Sequence, residues 1–288
     1  MNVRSYLVSM LVWPISALAS PFPDNQLPGD APELFAEGVL TLPERHEFRL
    51  FIHPDGQHIL FSIFSREAKG YQILASRYDE QKWSAVEPVP FLQVGDLEPA
   101  FSPDGQWLYF TSQRPPARGT EDANLWRMPW NDGKGGEPEL MPFSSQQSEW
   151  VANATTSGRL YFARFDQQDR GNIFVVEPTK DDHAKKLAAP VNTEYSDFEP
   201  FVDAAETLML FSSNRPGGYG ETDLYVSFKQ GDNWQTPINL GNEINSAKGE
   251  YSPFLTNDGR YLIYSRDGDF YWLSFTALRK RLQSDNPA

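Results

Sequence analysis

Asp96-Leu97-Glu98-Pro99-Ala100-Phe101-Ser102-Pro103-Asp104-Gly105-Gln106-Trp107-Leu108-Tyr109-Phe110-Thr111-Ser112 reads as strand, tight turn, strand. In the Ser102-Pro103-Asp104-Gly105 segment, proline presets φ and glycine accepts a positive φ, the two requirements of a tight turn. The run after it, Trp107 to Thr111, is aromatic and branched, as strands prefer. The same pattern recurs about every fifty residues. Each copy opens with an acid and a large apolar residue: Glu47-Phe48, Asp96-Leu97, Glu149-Trp150, Asp197-Phe198 and Glu250-Tyr251. Nine residues after each acid stands a turn position, Gly56, Gly105, Gly158, Glu206 or Gly259, and each following apolar run ends in an aromatic, Phe61, Phe110, Phe162, Phe211 or Tyr264. Self-similarity at this period marks a repeat architecture.

A third strand in each copy is marked by a polar residue before an apolar pair, as in Gln72-Ile73-Leu74, Asn124-Leu125-Trp126 and Asp223-Leu224-Tyr225. A weaker fourth follows in places, for example Trp83 to Val89 and Trp234 to Leu240. Four antiparallel strands repeated radially form a β-propeller blade, so the expected fold is all-β, a five-bladed β-propeller spanning residues 34–275. The last copy lacks a good fourth strand, because the charged tail 276–288 carries Arg279-Lys280-Arg281. The segment Leu34 to Leu42 can supply it. An N-terminal strand completing the last blade would close the ring and remove free sheet edges.

The string Glu98 to Ser112 looks like the Pro-Asp-Gly repeat of TolB-type propellers, relatives of the WD repeat. Ser213-Asn214-Arg215-Pro216-Gly217-Gly218-Tyr219-Gly220-Glu221-Thr222-Asp223-Leu224-Tyr225-Val226-Ser227 is similar to a variant seen in bacterial envelope proteins. The resemblance implies the propeller fold and a role in protein contacts. Two copies depart from the pattern, with Ser157-Gly158 and Ala205-Glu206 in place of Asp-Gly.

The chain has 288 residues, 40% hydrophobic and 14% aromatic, enough for a substantial core. A net charge of −14 argues against nucleic acid, whose phosphates it would repel. The first residues resemble a secretory signal: Arg4, then an apolar stretch from Tyr6 to Ile15, then Ala17-Leu18-Ala19, which places cleavage before Ser20. The expected organisation is a signal peptide at 1–19, a Pro-rich tail at 20–33, the propeller and the charged tail. The apolar stretch is too short for a stable membrane span. No cysteine occurs, so disulfides, thiol chemistry and a lipidated cysteine are all excluded. The expected compartment is the periplasm or the exterior.

Two series of charges converge on one mouth of the expected channel. The acids Glu47, Asp96, Glu149, Asp197 and Glu250 open the first strands, and Glu98 and Glu199 lie two residues further along. An arginine ends each second strand: Arg66, Arg114, Arg164, Arg215, Arg266. Since the second strand runs antiparallel to the first, each blade brings an acid and an arginine together. One reading is a structural collar of ion pairs. The other is a carboxylate cluster for glycoside hydrolysis or lyase chemistry, which needs two carboxyls in unlike environments. Repetition of the acids, each beside an arginine, favours the first.

His46, His53 and His58 fall in the first repeat at spacings of seven and five and show no ligand motif, so no metal and no cofactor are expected. The loops Pro115 to Glu121 and Pro216 to Glu221 emerge at the charged mouth, with Arg118 and Tyr219 as contact candidates. The function expected is a non-catalytic module binding a protein or glycan partner of the cell envelope, with a carbohydrate-active enzyme as the alternative.

Overall fold

The computed structural model describes residues 27–79, 82–115, 123–178 and 181–285. It is a five-bladed β-propeller of antiparallel blades. The innermost strands are Glu47–Ile52, Asp96–Phe101, Glu149–Ala154, Asp197–Val202 and Glu250–Leu255. Each pairs with a second strand, and each second strand pairs with a third. The innermost strands have almost no exposed face, as expected where they pack against neighbouring blades as well as their own. The outermost strand is broken into two short pieces in three blades, such as Lys82–Trp83 and Glu87–Pro88, both paired with Gly70–Asp79. A fragmented edge offers little backbone to a stray strand.

The ring is closed as expected, but by a shorter strand. Glu33–Leu34 pairs antiparallel with Asp269–Ser274, placing Glu33 opposite Trp272 and Leu34 opposite Tyr271. Beyond Leu34 the chain turns, with Ala36 and Gly38 both at positive φ. Phe35 is buried under the closure, its ring edge-on to Trp272 at 5.1 Å. The segment after the last strand, expected as a charged tail, forms a helix, Phe275–Asp285. Its apolar positions Phe275, Leu278 and Leu282 are buried in the main core, and three- and four-residue spacing puts them on one face. No helix among the described residues is long and apolar enough to cross a membrane. The expected signal segment and most of the Pro115 to Glu121 loop, Arg118 included, lie outside the described residues.

Candidate functional site

All five acids that open the innermost strands are fully buried, and each is bound twice. One bond goes to a cation. Arg114 meets Asp96, Arg164 meets Glu149 at 2.7 Å, Arg215 meets Asp197 at 2.5 Å, and Arg266 meets Glu250 at 2.9 Å. The other bond comes from a backbone N–H three to five residues earlier: Gln93, Ser145, Thr193 and Ser246 donate to their acids at 2.6 to 2.9 Å. The acid therefore ties down the connection that brings the chain in from the previous blade. The arginine does the same from the other side. Arg164, Arg215 and Arg266 donate to the carbonyls of Phe143, Val191 and Ile244 in those connections. Each guanidinium also lies over two aromatic rings of its own blade, as Arg215 does over Phe211 and Tyr225 at 5.1 and 4.9 Å.

The first blade departs from the expected pairing. Glu47 is bound by Arg45, at 2.6 Å, and not by Arg66. Arg45 reproduces each kind of contact of the series, though with one ring in place of two: it donates to the Leu40 carbonyl at 2.5 Å and lies over Phe61 at 5.3 Å, while Leu42 N–H caps Glu47 at 3.1 Å. Residues 36–42 enter by a tight turn, so the cation arrives from before the acid and Arg66 is left at the rim. Burial outweighs Arg45 at Glu47 and pushes its carboxyl up to about 7. Burial also raises Glu149.

Two residues inside the collar lies a second ring, and it is not uniform. Its positions are Arg49, Glu98, Val151, Glu199 and Ser252. Arg49, Glu98, Glu199 and Ser252 all have φ between 48° and 57°, at the point where the strand register slips. A non-glycine residue held left-handed costs of order 1 kcal/mol. A bulge re-aims its side chain, here towards the axis. Arg49 is completely buried, and its guanidinium nitrogens have no hydrogen-bond partner among the described residues. Burial lowers its pKa to about 10, while the charges of Glu98 and Glu199 act to keep the guanidinium protonated. Burial raises Glu199, which accepts bonds from Ser212 Oγ and from the Ser252 backbone and hydroxyl at 2.7 to 3.1 Å, linking two blades. Below this ring Phe51, Phe201 and Phe254 fill the channel. Phe51 and Phe254 stand 4.7 Å apart and Phe201 and Phe254 stand 5.4 Å apart. These three line the cavity of about 420 Å3 at the opposite mouth, where the turns lie.

Above the ring is the largest cavity described, about 990 Å3. Glu98 and Glu199 are in its wall, and all five blades contribute to it. Its walls are aromatic. Phe48, Trp150, Phe198 and Tyr251 are the residues that follow the collar acids, and Phe64, Tyr71 and Phe165 extend them outward. Phe64 and Tyr71 are among the few large exposed apolar side chains. Arg66 lies on the rim. Of the expected site residues, Glu98, Glu199 and Arg66 thus reach the cavity. The collar acids and Arg114, Arg164, Arg215 and Arg266 are committed beneath it. Tyr219 is 51% exposed on its loop and is not part of the wall. The aromatic series was visible in the sequence as the apolar residue after each acid, but apolar residues beside a core do not announce that they face a cavity.

No protein-family model matches the chain, and no curated protein sequence matches it. Many solved structures share its fold. One is described as TolB from Agrobacterium tumefaciens, with 14% identity, 77% of this chain and 70% of that one covered, and a TM-score of 0.55. TolB from Acinetobacter baumannii is 16% identical, with 79% and 54% covered and a TM-score of 0.54. The fold is TolB-like. An endo-arabinase from Bacteroides thetaiotaomicron VPI-5482 is as near to this TolB-like propeller, with 14% identity, 81% and 95% covered and a TM-score of 0.56. At these identities the likeness is one of fold alone.

Proposed function

We propose that the protein is an exported, non-catalytic binding module of the cell envelope that takes a protein or glycan partner at the aromatic mouth of its channel. The observation that carries this reading is the division of labour at the mouth. The repeated acids are buried and used up in holding blades together, while the residues beside them form an aromatic cavity with a closed floor. Aromatic faces suit sugar C–H surfaces and apolar peptide side chains alike. Export rests on the leader pattern at residues 1–19. The alternative, a carbohydrate-active enzyme, has one observation in its favour. Glu98 and Glu199 both wall the cavity, and burial raises Glu199. An enzyme would have to use those two residues and not the collar.

The test is retention of the mature protein on insoluble peptidoglycan sacculi and on a panel of immobilised oligosaccharides, beside a photo-crosslinking amino acid at position 71, an exposed wall position, in the living cell. Retention, or one dominant crosslinked envelope protein, lost in the Trp150→Ala, Phe198→Ala double variant is the expected result. Release of soluble sugar products would favour the enzyme.

A further inference from the structure

The five turns between first and second strands do the same structural work, and only the first blade places histidines in it. Six residues after the collar acid, the other blades carry Ser102, Thr155, Asp203 and Thr256, and the first carries His53. Eleven residues after it, the others carry Trp107, Leu160, Leu208 and Tyr261, and the first carries His58. Where the hydroxyl is present next to an Asp-Gly turn, it donates to the turn aspartate, as Ser102 Oγ does to Asp104 at 2.5 Å and Thr256 Oγ1 to Asp258 at 2.6 Å. The first blade has no such hydroxyl to give.

The tight turn folds the two histidines onto Asp55, which their spacing in sequence did not reveal. Asp55 Oδ1 accepts the turn amides of Gln57 and His58 at 2.7 and 3.1 Å. Its Oδ2 is left facing both rings, 2.9 Å from His53 Nδ1 and 2.6 Å from His58 Nδ1. His53 Nε2 is 3.0 Å from the carbonyl of Gly105. A carbonyl only accepts, so Nε2 carries the hydrogen, and in the neutral ring Nδ1 is a lone pair. That lone pair takes the Asp55 N–H at 3.1 Å and also confronts the Asp55 carboxylate. Two lone pairs 2.9 Å apart repel unless something positive stands with them. Gly105 is fitted to this arrangement: it sits at φ +71°, and a Cβ there would come within 2.5 Å of the His53 ring.

We infer that His53 Nδ1, Asp55 Oδ2 and His58 Nδ1 form a site for a divalent transition metal of the zinc class. The three donor atoms lie within 4.8 Å of one another. Metal–nitrogen and metal–oxygen bonds of about 2.0–2.2 Å require donors about 3.3 Å apart in a tetrahedral set, so the two histidine–carboxylate gaps of 2.9 and 2.6 Å would each widen by less than about 1 Å. Two imidazoles and one carboxylate suit zinc, cobalt and nickel and disfavour calcium and magnesium. The Gly105 carbonyl orients His53 from behind, as outer partners of metal-bound histidines do. Loading expels to solvent the proton shared by His58 Nδ1 and Asp55 Oδ2 and replaces the Asp55 N–H contact. One of the three donors, His58, also walls a cavity of about 220 Å3 with Trp130 and Gly133. The site stands on the turn side of the propeller, across the channel from the aromatic mouth, and does not depend on what that mouth binds.

The experiment is a cobalt(II) titration of the intact mature protein followed by visible absorption, with zinc chloride competition read by calorimetry at fixed pH. One cobalt per chain with d–d bands, displaced by one zinc, is expected. Asp55→Asn keeps the Oδ1 acceptor of the turn, and His58→Ala leaves His53 against Gly105. Each variant should keep the parent's far-UV circular dichroism and bind at least about tenfold more weakly. Absence of saturable one-to-one binding overturns the assignment. So does equal binding by both variants, which would put the ion elsewhere. A parent that responds at this cluster to pH but not to metal also overturns it, because protonation of His53 alone would then relieve the repulsion.

Discussion

Arg45 and Arg66 stand on either side of the first innermost strand, and only one of them is bound to its acid. Removing a cation from a buried carboxylate leaves an uncompensated charge, at a cost of about 3 kcal/mol or more. Arg45→Ala, Arg114→Ala and Arg215→Ala should therefore each lower stability by similar amounts in denaturant melts, while Arg66→Ala should change it by no more than about 0.5 kcal/mol. Glu47 carries a pH signature of its own. Its folded value of about 7 lies above the ordinary 4.5, so its contribution is fully favourable below pH 4.5 and is lost as pH rises through about 7. Glu47→Gln removes this, and its melting temperature should fall less than the parent's between pH 5 and pH 8. Asp55 and Glu206 do not confuse the comparison. Both are held down near 2, where hydrogen bonds outweigh burial, so their contribution is constant between pH 5 and pH 8 and is lost only in acid. The collar was legible in the sequence because it repeats. The use of Arg45 was not, because Arg66 stands where the other four copies have their bound arginine, and Lys248 shares the spacing of Arg45 without replacing Arg266 at Glu250.

At the scale of elements, each departure from the repeat has a local cause. Glu206 occupies a turn position that is glycine in the other four copies, and does so at φ 56°. Its carboxylate is bound by Arg159 at 2.8 Å, by Lys229 at 2.7 Å, and by Thr155, Ser157 and Tyr161, joining the third blade to the fourth. Glu206→Gly relieves backbone strain of about 1 kcal/mol but strands those partners. The variant should melt lower than the parent, against what the repeat pattern alone suggests. The closing strand was anticipated from the incomplete last copy, although pairing is confined to Glu33–Leu34 because Ala36 and Gly38 turn the chain away. Phe35 is the largest buried apolar side chain of the closing segment. Phe35→Ala should cost about 3–5 kcal/mol in a thermal or denaturant melt, as for other large core aromatics. The C-terminal helix escaped the sequence reading because its basic residues obscured the spacing of Phe275, Leu278 and Leu282.

For the whole molecule, the period of the repeat determined the architecture, and asymmetry within it marks the sites. Five equivalent acid–arginine pairs, the first with its arginine before the acid, build a collar. The non-uniform ring one layer inward, with Arg49 facing Glu98 and Glu199, and the aromatic wall above it build a cavity that no repeat unit encodes alone. That wall spans residues 44 to 251, so it exists only once the ring has closed. The most direct measurement pairs thermal melting with sacculus retention and sugar release for two groups of variants. Trp150→Ala with Phe198→Ala should melt within a few degrees of the parent and lose retention, whereas Asp197→Asn and Glu250→Gln should lose stability together, with no soluble products released by any form. A collar acid or Glu98 whose replacement abolishes measurable sugar release while leaving the melt unchanged would contradict the account.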